Sequence, residues 1–557
     1  MGGLMEINPA AHYENVIFSR RTTEFMRREA ILAPDGSSAD LLAGLIARLA
    51  GAEQALGEAA HDADDALTDF YDFTRRGLCT LGSPLLTNIA AGRQALGSCS
   101  AVPLKVRSLV AADLDLAEAY YNLNMGSGYD LSDAEDPCAL LQRLNQHAAR
   151  VQNSGSCERY VGNIAHISVH HPQVLDFIAV KTGRDDLVHF NISVDVTDDF
   201  TAALAAGSSI RMTDGSRRGA QEIWDALVAC AWSCGDPGLI SLKRYNAGNA
   251  LSEVAPYVTT APCAEVGLSP GETCVFGYVN VAACLSAGPN PKVNLDLVGK
   301  VAACLTRMLD DAVEASVKAL PVPASAAVMA SKRKIGIGLC GLADALLWMG
   351  LDYASPESLQ VVADVLATIN FCSKEASLRL ARRRGPFARF DDSRYRHDPG
   401  FLARFGEIPT VIDQVAWHRL ASHAARAGLR NVMTTALPPS GRSALLLGVN
   451  PSIEPFLTLH DGADWVLPLR VMIGANLVRA DECWGSLFRT ATEISSDEHL
   501  NLLRIAVRLV DDGVSKTINL PQSATLEDVC HIFRQAWDAG LKAISVYRAG
   551  SRGILAA

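Results

Sequence analysis

HFNISVDV at 189–196, EIWDALVACAW at 222–232 and GLISLKRYN at 238–246 decide the fold class. The first and third are short apolar runs of strand length; the second places Ile223, Trp224, Leu227 and Val228 at helical spacing. The pattern extends outward from there. HISVHHP at 166–172 is another strand-like run, and from about residue 80 onward such runs alternate with longer helical patterns and turn signals. That alternation predicts an α/β protein. The start of the chain reads differently: Leu41, Leu42, Leu45, Ile46 and Leu49 recur at helical spacing and Ala-rich segments carry the pattern to Phe70, so residues 1–75 are expected to form a helical N-terminal region.

The chain has 557 residues, 49% hydrophobic and 20% charged, ample for a large core and incompatible with global disorder. Its length allows several domains or one large α/β barrel. Fifty Lys and Arg against 61 Asp and Glu give a net charge of −11, the wrong sign for coating nucleic acid, although a local basic pocket for a phosphorylated ligand is compatible. No uncharged apolar run is long enough to span a membrane. MGGLMEINPAAHYEN at 1–15 lacks the regions of a secretory signal, and Glu6 breaks a myristoylation pattern. Fourteen cysteines without a repeating framework suit a reducing cytoplasm. A cytoplasmic enzyme is expected.

Several local signals point elsewhere. Gly336, Gly338 and Gly341 in KRKIGIGLCGLADALL match G-x-G-x-x-G, but the preceding ASAAVMASKRK does not read as a buried strand, and close helix packing explains these glycines better than a dinucleotide site. On a strand, His166 and His170 would share a face, yet no acidic or thiol ligand completes a site locally, so no metal is expected. Cys230 and Cys234, one helical turn apart, read as small core residues. ARRRGPF at 381–387 reads as a solvated helix end, and Pro321 to Pro323, inside LPVPASAA, as a surface loop.

Three stretches combine into something more specific. SPLLTNIAAGRQALGSC (83–99) puts Cys99 after a Gly-Ser pair at the expected end of a strand. TTAPCAEVGLSPGETCVFGYVNV (259–281) sets Cys263 and Glu265 two apart and Cys274 eleven beyond Cys263. LPPSGRSALLLGVNPSIEP (437–455) is a Pro/Ser/Gly turn before an apolar segment. Two thiols that meet can close to a disulfide and release two electrons. A third thiol beside a carboxylate could exchange a hydrogen atom with a base at hand. A small-residue turn with free amides, Ser440, Arg442 and Ser443 could hold a phosphate. Any one of these cysteines could equally be a buried core residue, since spacing in sequence does not show proximity.

These stretches resemble the large catalytic chain of ribonucleotide reductases, most closely the adenosylcobalamin-dependent class II enzymes. The family reads S-P-x-L-x-N … S-x-C, then N-P-C-x-E … C-x-x-G-x-x-N, then P-T-G-T ahead of G-I-E-P. GDPGLISLKRYNAGN (235–249), KIGIGLCGLADALLWMG (334–350), SKTINLP (515–521) and YRAGSR (547–552) extend the resemblance from about residue 70 to residue 552. It implies a ten-stranded α/β barrel of two five-stranded halves over residues 76–530 with Cys263 on a central finger loop, and a short segment 531–557. It further implies that cobalamin's carbon–cobalt bond breaks homolytically and Cys263 becomes a thiyl radical that takes the 3′ hydrogen of a ribonucleotide. Glu265 would take the 3′ hydroxyl proton, the 2′ hydroxyl would leave as water, and Cys99 and Cys274 would be oxidised to a disulfide. Ser83, Ser98 and Gly126 match substrate-contacting positions, and Pro439, Ser440, Gly441, Arg442 and Ser443 match the turn for the substrate phosphates. The implied partners are a ribonucleotide, an external thiol reductant (thioredoxin-like or small) and a second copy in a homodimer. The lone Tyr547 of LKAISVYRAGSR, where the class fed by a diiron subunit carries adjacent tyrosines, favours class II.

The chain departs from its relatives at four points. Ala261 replaces the family's Asn two residues before the radical cysteine, which removes a polar contact to the substrate hydroxyl region and to the glutamate. LSDAEDPCALL follows GSGYD directly, where relatives carry an added effector loop. Arg159, Tyr160, Val161 and Gly162 stand for R-R-G-A in the specificity loop, which puts effector control in doubt together with the usual dimer contact. The sequence ends at YRAGSRGILAA without the tail cysteine pair, so re-reduction is expected from outside. Two other readings remain open on these departures: a divergent paralogue acting on an unusual nucleotide or nucleoside, and a non-catalytic nucleotide-binding paralogue.

Overall fold

Parallel strands covered on both faces need apolar residues at nearly every position, and the middle of the chain supplies them. The computed structural model describes residues 8–551 except 105, 185, 289, 458–486 and 488. Residues 1–7, searched above for a signal, and residues 552–557 of the expected C-terminal segment lie outside the described residues. The strands in chain order are β1 (Cys79–Leu81), β2 (Cys99–Ala101), β3 (Gly126–Asp130), β4 (Asn163–Ser168), β5 (Phe190–Asp195), β6 (Ser209–Arg211) and β7 (Arg217–Gly219). They continue with β8 (Gly238–Ile240), β9 (Thr259–Thr260), β10 (Gly267–Leu268), β11 (Thr273–Asn280), β12 (Ile335–Cys340), β13 (Thr517–Leu520) and β14 (Ala543–Arg548). The α/β class expected from the alternation is what forms.

The chain divides into two compact units, one of Met1–Ser98, Cys274–Leu320 and Met329–Asp511, the other of Cys99–Thr273, Pro321–Val328 and Asp512–Ala557. In the second unit β2, β3, β4, β5 and β8 pair in parallel, with Cys99 opposite Gly126, Ser127 opposite Asn163, Ile164 opposite Asn191 and Ser193 opposite Gly238. β14 adds antiparallel to β8, and β13 adds parallel to β14. Helices Ala111–Tyr121, Pro137–Ser154, Val174–Ala179 and Ala220–Cys234 lie in the connections between successive parallel strands, the crossover that parallel pairing requires. Local chemistry sets their ends. Asp136 accepts from the Ala139 amide at 2.8 Å, Pro137 occupies the first turn, and Gly155 closes the helix in the left-handed region.

In the first unit β11 pairs antiparallel with β1 and parallel with β12. Two long helices, Leu295–Val317 and Pro356–Arg384, bury apolar residues at three- and four-residue spacing (Val298, Ala302, Leu305 and Leu309 on the first). Two expectations are corrected here. Gly336 and Gly338 lie inside β12, so they serve strand packing rather than helix packing: a Cβ at Gly336 would fall 2.7 Å from the Phe276 ring, and one at Gly338 would fall 3.0 Å from Pro438. ARRRGPF is no simple solvated end, because the Arg384 side chain is 1% exposed. Its guanidinium reaches Glu53 (2.9 Å), Glu58 (2.6 Å), Asp310 (2.9 Å) and Asp311 (2.7 Å). Burial pushes the Asp310 carboxyl up, but Arg333, Arg430 and Arg384 together overturn this and hold it down to about 2. In the second unit β4 ends at Ser168, so His170 leaves the strand and bonds the Arg211 carbonyl and Thr197, and no cluster of metal ligands forms among the described residues. No helix among the described residues is long and apolar enough to cross a membrane.

Arg384→Met should therefore lower the unfolding free energy by about 3–5 kcal/mol, because several buried carboxylates lose their counter-charge. Arg383→Met removes a 42% exposed guanidinium from Glu58 and Asp62 and should cost less than about 1 kcal/mol. Urea unfolding of both variants checks the contrast.

Candidate active site

The stretch around Cys263 folds as a hairpin. β9 and β10 pair antiparallel with Thr260 opposite Gly267, and residues 261–266 form the tip. Inside the tip the Ala261 amide donates to the Val266 carbonyl at 2.9 Å, and the Ala264 amide donates to the Ala261 carbonyl at 2.9 Å. Ala264 takes φ +57°, a left-handed conformation that disfavours a side chain, so the tip is a shape the surroundings must hold. The glycines of β3 let the hairpin lie close. A Cβ at Gly126 would fall 2.7 Å from Pro262, and one at Gly128 would fall 2.0 Å from the Thr260 carbonyl.

The tip brings three of the expected residues together within the second unit. Glu265 is 2% exposed. One of its oxygens accepts from the Cys99 thiol at 3.8 Å and the other from the Cys263 amide at 3.2 Å. Cys99 opens β2 instead of ending a strand, and its parallel register opposite Gly126 sets it beside the hairpin. Burial raises the Glu265 carboxyl to about 7, with the negative Asp512 adding to the rise and bonds from the Glu265 and Cys263 amides and the Cys99 thiol opposing it. Cys263 is open to solvent at its own surface yet crowded by protein at longer range. That crowding, followed by the charge of Glu265, raises its thiol well above the ordinary range against a pull from Arg159. The thiol therefore stays protonated, with its S–H bond intact at neutral pH, and is a poor nucleophile.

The remaining expected residues lie in the first unit, except Gly126 and Ala261, which belong to the second. Ser98 is buried, donates its amide to the Cys274 carbonyl at 2.8 Å, and keeps a buried hydroxyl without a hydrogen-bond partner among the described residues. Cys274 is fully buried on β11. Ser83 starts the helix Ser83–Ala90, and its amide donates to the Ser443 hydroxyl at 2.9 Å. Ser440 starts the helix Gly441–Leu446 and accepts from the Ser452 amide at 2.7 Å. The Pro439 carbonyl accepts from the Tyr278 hydroxyl at 3.2 Å. Arg442 is engaged by the Glu29 carboxylate at 3.2 Å and by its carbonyl at 3.3 Å, a pairing that spacing does not reveal. Nothing lies within 4 Å of a side chain added at Gly441. Cys99 and Cys274 are both reduced, with no disulfide between them.

Asn191, Tyr245 and Gly513 were not singled out from the sequence, yet each donates to a carbonyl of the hairpin tip. Tyr245 lies inside the quoted GLISLKRYN and Gly513 two residues before SKTINLP, but a bond to a main-chain acceptor leaves no mark in the partner's residue type.

Residues 131–461 and 475–547 match the model of the ribonucleotide reductase barrel domain. The vitamin B12-dependent ribonucleoside-diphosphate reductase of Mycobacterium tuberculosis (strain CDC 1551 / Oshkosh) is 30% identical over 528 residues, covering 84% of this chain and 70% of the relative. The protein of the same name from Thermoplasma acidophilum is 31% identical over 455 residues, covering 76% of this chain and 55% of the relative. The vitamin B12-dependent ribonucleotide reductase of Rhodopirellula baltica is 21% identical over 490 residues, covering 74% and 47%. With the family model matching residues 131–461 and 475–547, and a relative 30% identical across 84% of this chain, this chain belongs to the ribonucleotide reductase family.

Proposed function

We propose that this chain replaces the 2′ hydroxyl of a ribonucleotide by hydrogen through a thiyl radical on Cys263, with adenosylcobalamin as its cofactor. The observation that carries the reading is the Glu265 carboxylate, buried between the Cys99 thiol and the Cys263 amide. The names of the mycobacterial and archaeal relatives support both the reaction and the cofactor.

The thiol chemistry fits such a cofactor. Cys263 presents an intact S–H at an exposed position, with Pro262 and Ala264 half-exposed on either side, and these three residues form the surface it would face. When bound, adenosylcobalamin supplies a homolytically labile bond and hence the unpaired electron. The chain's residues do the rest. The Cys263 sulfur, once a radical, takes the 3′ hydrogen, and Glu265 takes the proton of the 3′ hydroxyl. The 2′ hydroxyl then leaves as water. Cys99 and Cys274 together give two electrons and two protons and become a disulfide, and the 3′ hydrogen returns from Cys263. One ribonucleotide and two thiols thus yield one deoxyribonucleotide, one disulfide and one water.

Ser83, Ser98, Gly126 and the Pro439–Ser443 turn are the residues we assign to substrate, the open space above Gly441 suiting an oxygen-rich group. Ala261 offers the sugar no hydrogen bond, so we place substrate orientation on the other contacts. An external thiol, thioredoxin-like or small, restores the dithiol. The free thiols among the described residues suit a cytoplasmic location, and the family's homodimer is the assembly we infer.

Purified protein with adenosylcobalamin, dithiothreitol and a ribonucleotide panel should yield a 2′-deoxynucleotide, and Cys263→Ala should yield none above background. Because Glu265 acts as a base only when ionised and its carboxyl sits at about 7, kcat should rise with pH through that value. Glu265→Gln should lower kcat by about a hundredfold or more and remove that limb.

The same shift predicts a stability change. Folded, Glu265 holds its proton to about pH 7, against about 4.5 unfolded, so its contribution is complete below the unfolded value and is lost as pH rises to the folded one. The loss is about 3 kcal/mol. Glu265→Gln should abolish it, so the variant should gain stability relative to wild type between about pH 5 and about pH 8 in denaturant titrations.

A further inference from the structure

The hairpin tip is gripped at three carbonyls by donors from three separate places in the second unit. Asn191 on β5 donates its side-chain amide to the Pro262 carbonyl at 3.1 Å. The Tyr245 hydroxyl donates to the Ala264 carbonyl. The Gly513 amide donates to the Glu265 carbonyl at 3.0 Å. Gly513 must be glycine for this approach, since a Cβ there would fall 2.5 Å from the Ala264 oxygen and 2.9 Å from the Glu265 oxygen.

Of the three, Tyr245 stands out. It is fully buried, so its phenol has no freedom to seek water instead. Its helix, Leu242–Ala247, is itself tied down. The Leu242 amide donates to Asp195 at 2.9 Å, and the Asn246 side chain donates to the Leu242 and Tyr257 carbonyls at 3.0 Å each and accepts from the Tyr257 amide at 2.8 Å. Lys542 lies over the ring at 5.8 Å while its ammonium donates to the Asp512 carbonyl at 2.6 Å. The acceptor is the peptide oxygen that joins the left-handed Ala264 to Glu265. Rotation of that one peptide would swing the Glu265 carboxylate away from the Cys263 amide and the Cys99 thiol. Ala261 has no side-chain amide with which to hold the glutamate, so its orientation depends on the main chain of the tip.

We propose that Tyr245 is a positioning residue: its phenol locks the Ala264–Glu265 peptide and thereby sets the Cys263–Glu265 pair. The proposal rests on the radical reading for its kinetic consequence, but its geometric consequence stands apart from it.

The test uses the full chain carrying Tyr245→Phe, which keeps the ring and deletes the hydroxyl. Without cofactor or substrate, iodoacetamide labelling of Cys263 is followed by peptide mass mapping across a pH series, with Cys530 in the same sample as reference. The expected result is labelling of Cys263 about tenfold faster at a given pH, with its pH profile moved toward that of an ordinary thiol and Cys530 unchanged. With cofactor and ribonucleotide, kcat should fall about ten- to a hundredfold at nearly unchanged KM, and its acid limb should move below the wild-type value. An unchanged Cys263 labelling profile overturns the proposal. So does a loss of kcat that only tracks a lower melting temperature, with the limb unmoved. If the wild type reduces no ribonucleotide while the Tyr245→Phe labelling profile shifts, the radical reading fails and the positioning role stands.

Discussion

One carboxylate organises the site. Glu265 is almost completely buried, and its two oxygens face different partners, the Cys99 thiol and the Cys263 amide. Burial makes ionisation costly, so the group titrates near neutrality instead of near its usual range. The crowding of the same hairpin acts on the Cys263 thiol in the chemically opposite sense for catalysis: it suppresses the thiolate and preserves the S–H bond. A nucleophilic cysteine needs the reverse, a cationic neighbour and a lowered thiol. One crowded hairpin therefore leaves Glu265 titrating near neutrality and Cys263 as an intact thiol.

Keeping that environment requires backbone precision. A left-handed alanine at the tip, two β3 glycines beneath the hairpin and a glycine at 513 each mark a place where side-chain volume gave way to close main-chain approach. The parallel strands of the second unit form the floor of this arrangement. β2 brings Cys99, β3 brings Gly126 and Gly128, and β5 brings Asn191, each from a different strand of one hydrogen-bonded array. Positions on a rigid sheet are held more closely than positions on loops, which suits chemistry that must keep a radical from wandering.

Much of this was legible from the sequence, for identifiable reasons. HFNISVDV marked β5 almost end to end, whereas HISVHHP and GLISLKRYN each meet a strand over three residues only, 166–168 of β4 and 238–240 of β8, before the chain leaves the sheet. Cys263 and Glu265 were legible because two residues of separation on a hairpin tip leaves little room to part them. The glycines of β12 were not, since glycine weakens a strand reading and only the Phe276 ring beside Gly336 and Pro438 beside Gly338 explain why they are there. The arginine run was misread although its spacing held the answer: Arg384 follows Ser377 by seven, Leu380 by four and Ala381 by three, all of them buried, while Arg383 follows the exposed Arg379 by four. Tyr245 was illegible in principle, because its partner is a carbonyl that every residue possesses.

Ala261 then has a structural meaning. The resemblance implies that relatives carry a side-chain amide two residues before the cysteine that helps orient the glutamate. Here Ala261 is fully buried and contributes only its main chain, donating to Val266 and accepting from Ala264. The direction of Glu265 rests on the Cys99 thiol and the Cys263 amide at its carboxylate, on the peptide on its N-terminal side, and on the Gly513 amide at its own carbonyl. A peptide can be held from outside by any well-placed donor, so the orienting task can pass from a residue inside the motif to one outside it. The motif can therefore lose its polar residue while the thiol and the carboxylate keep their geometry.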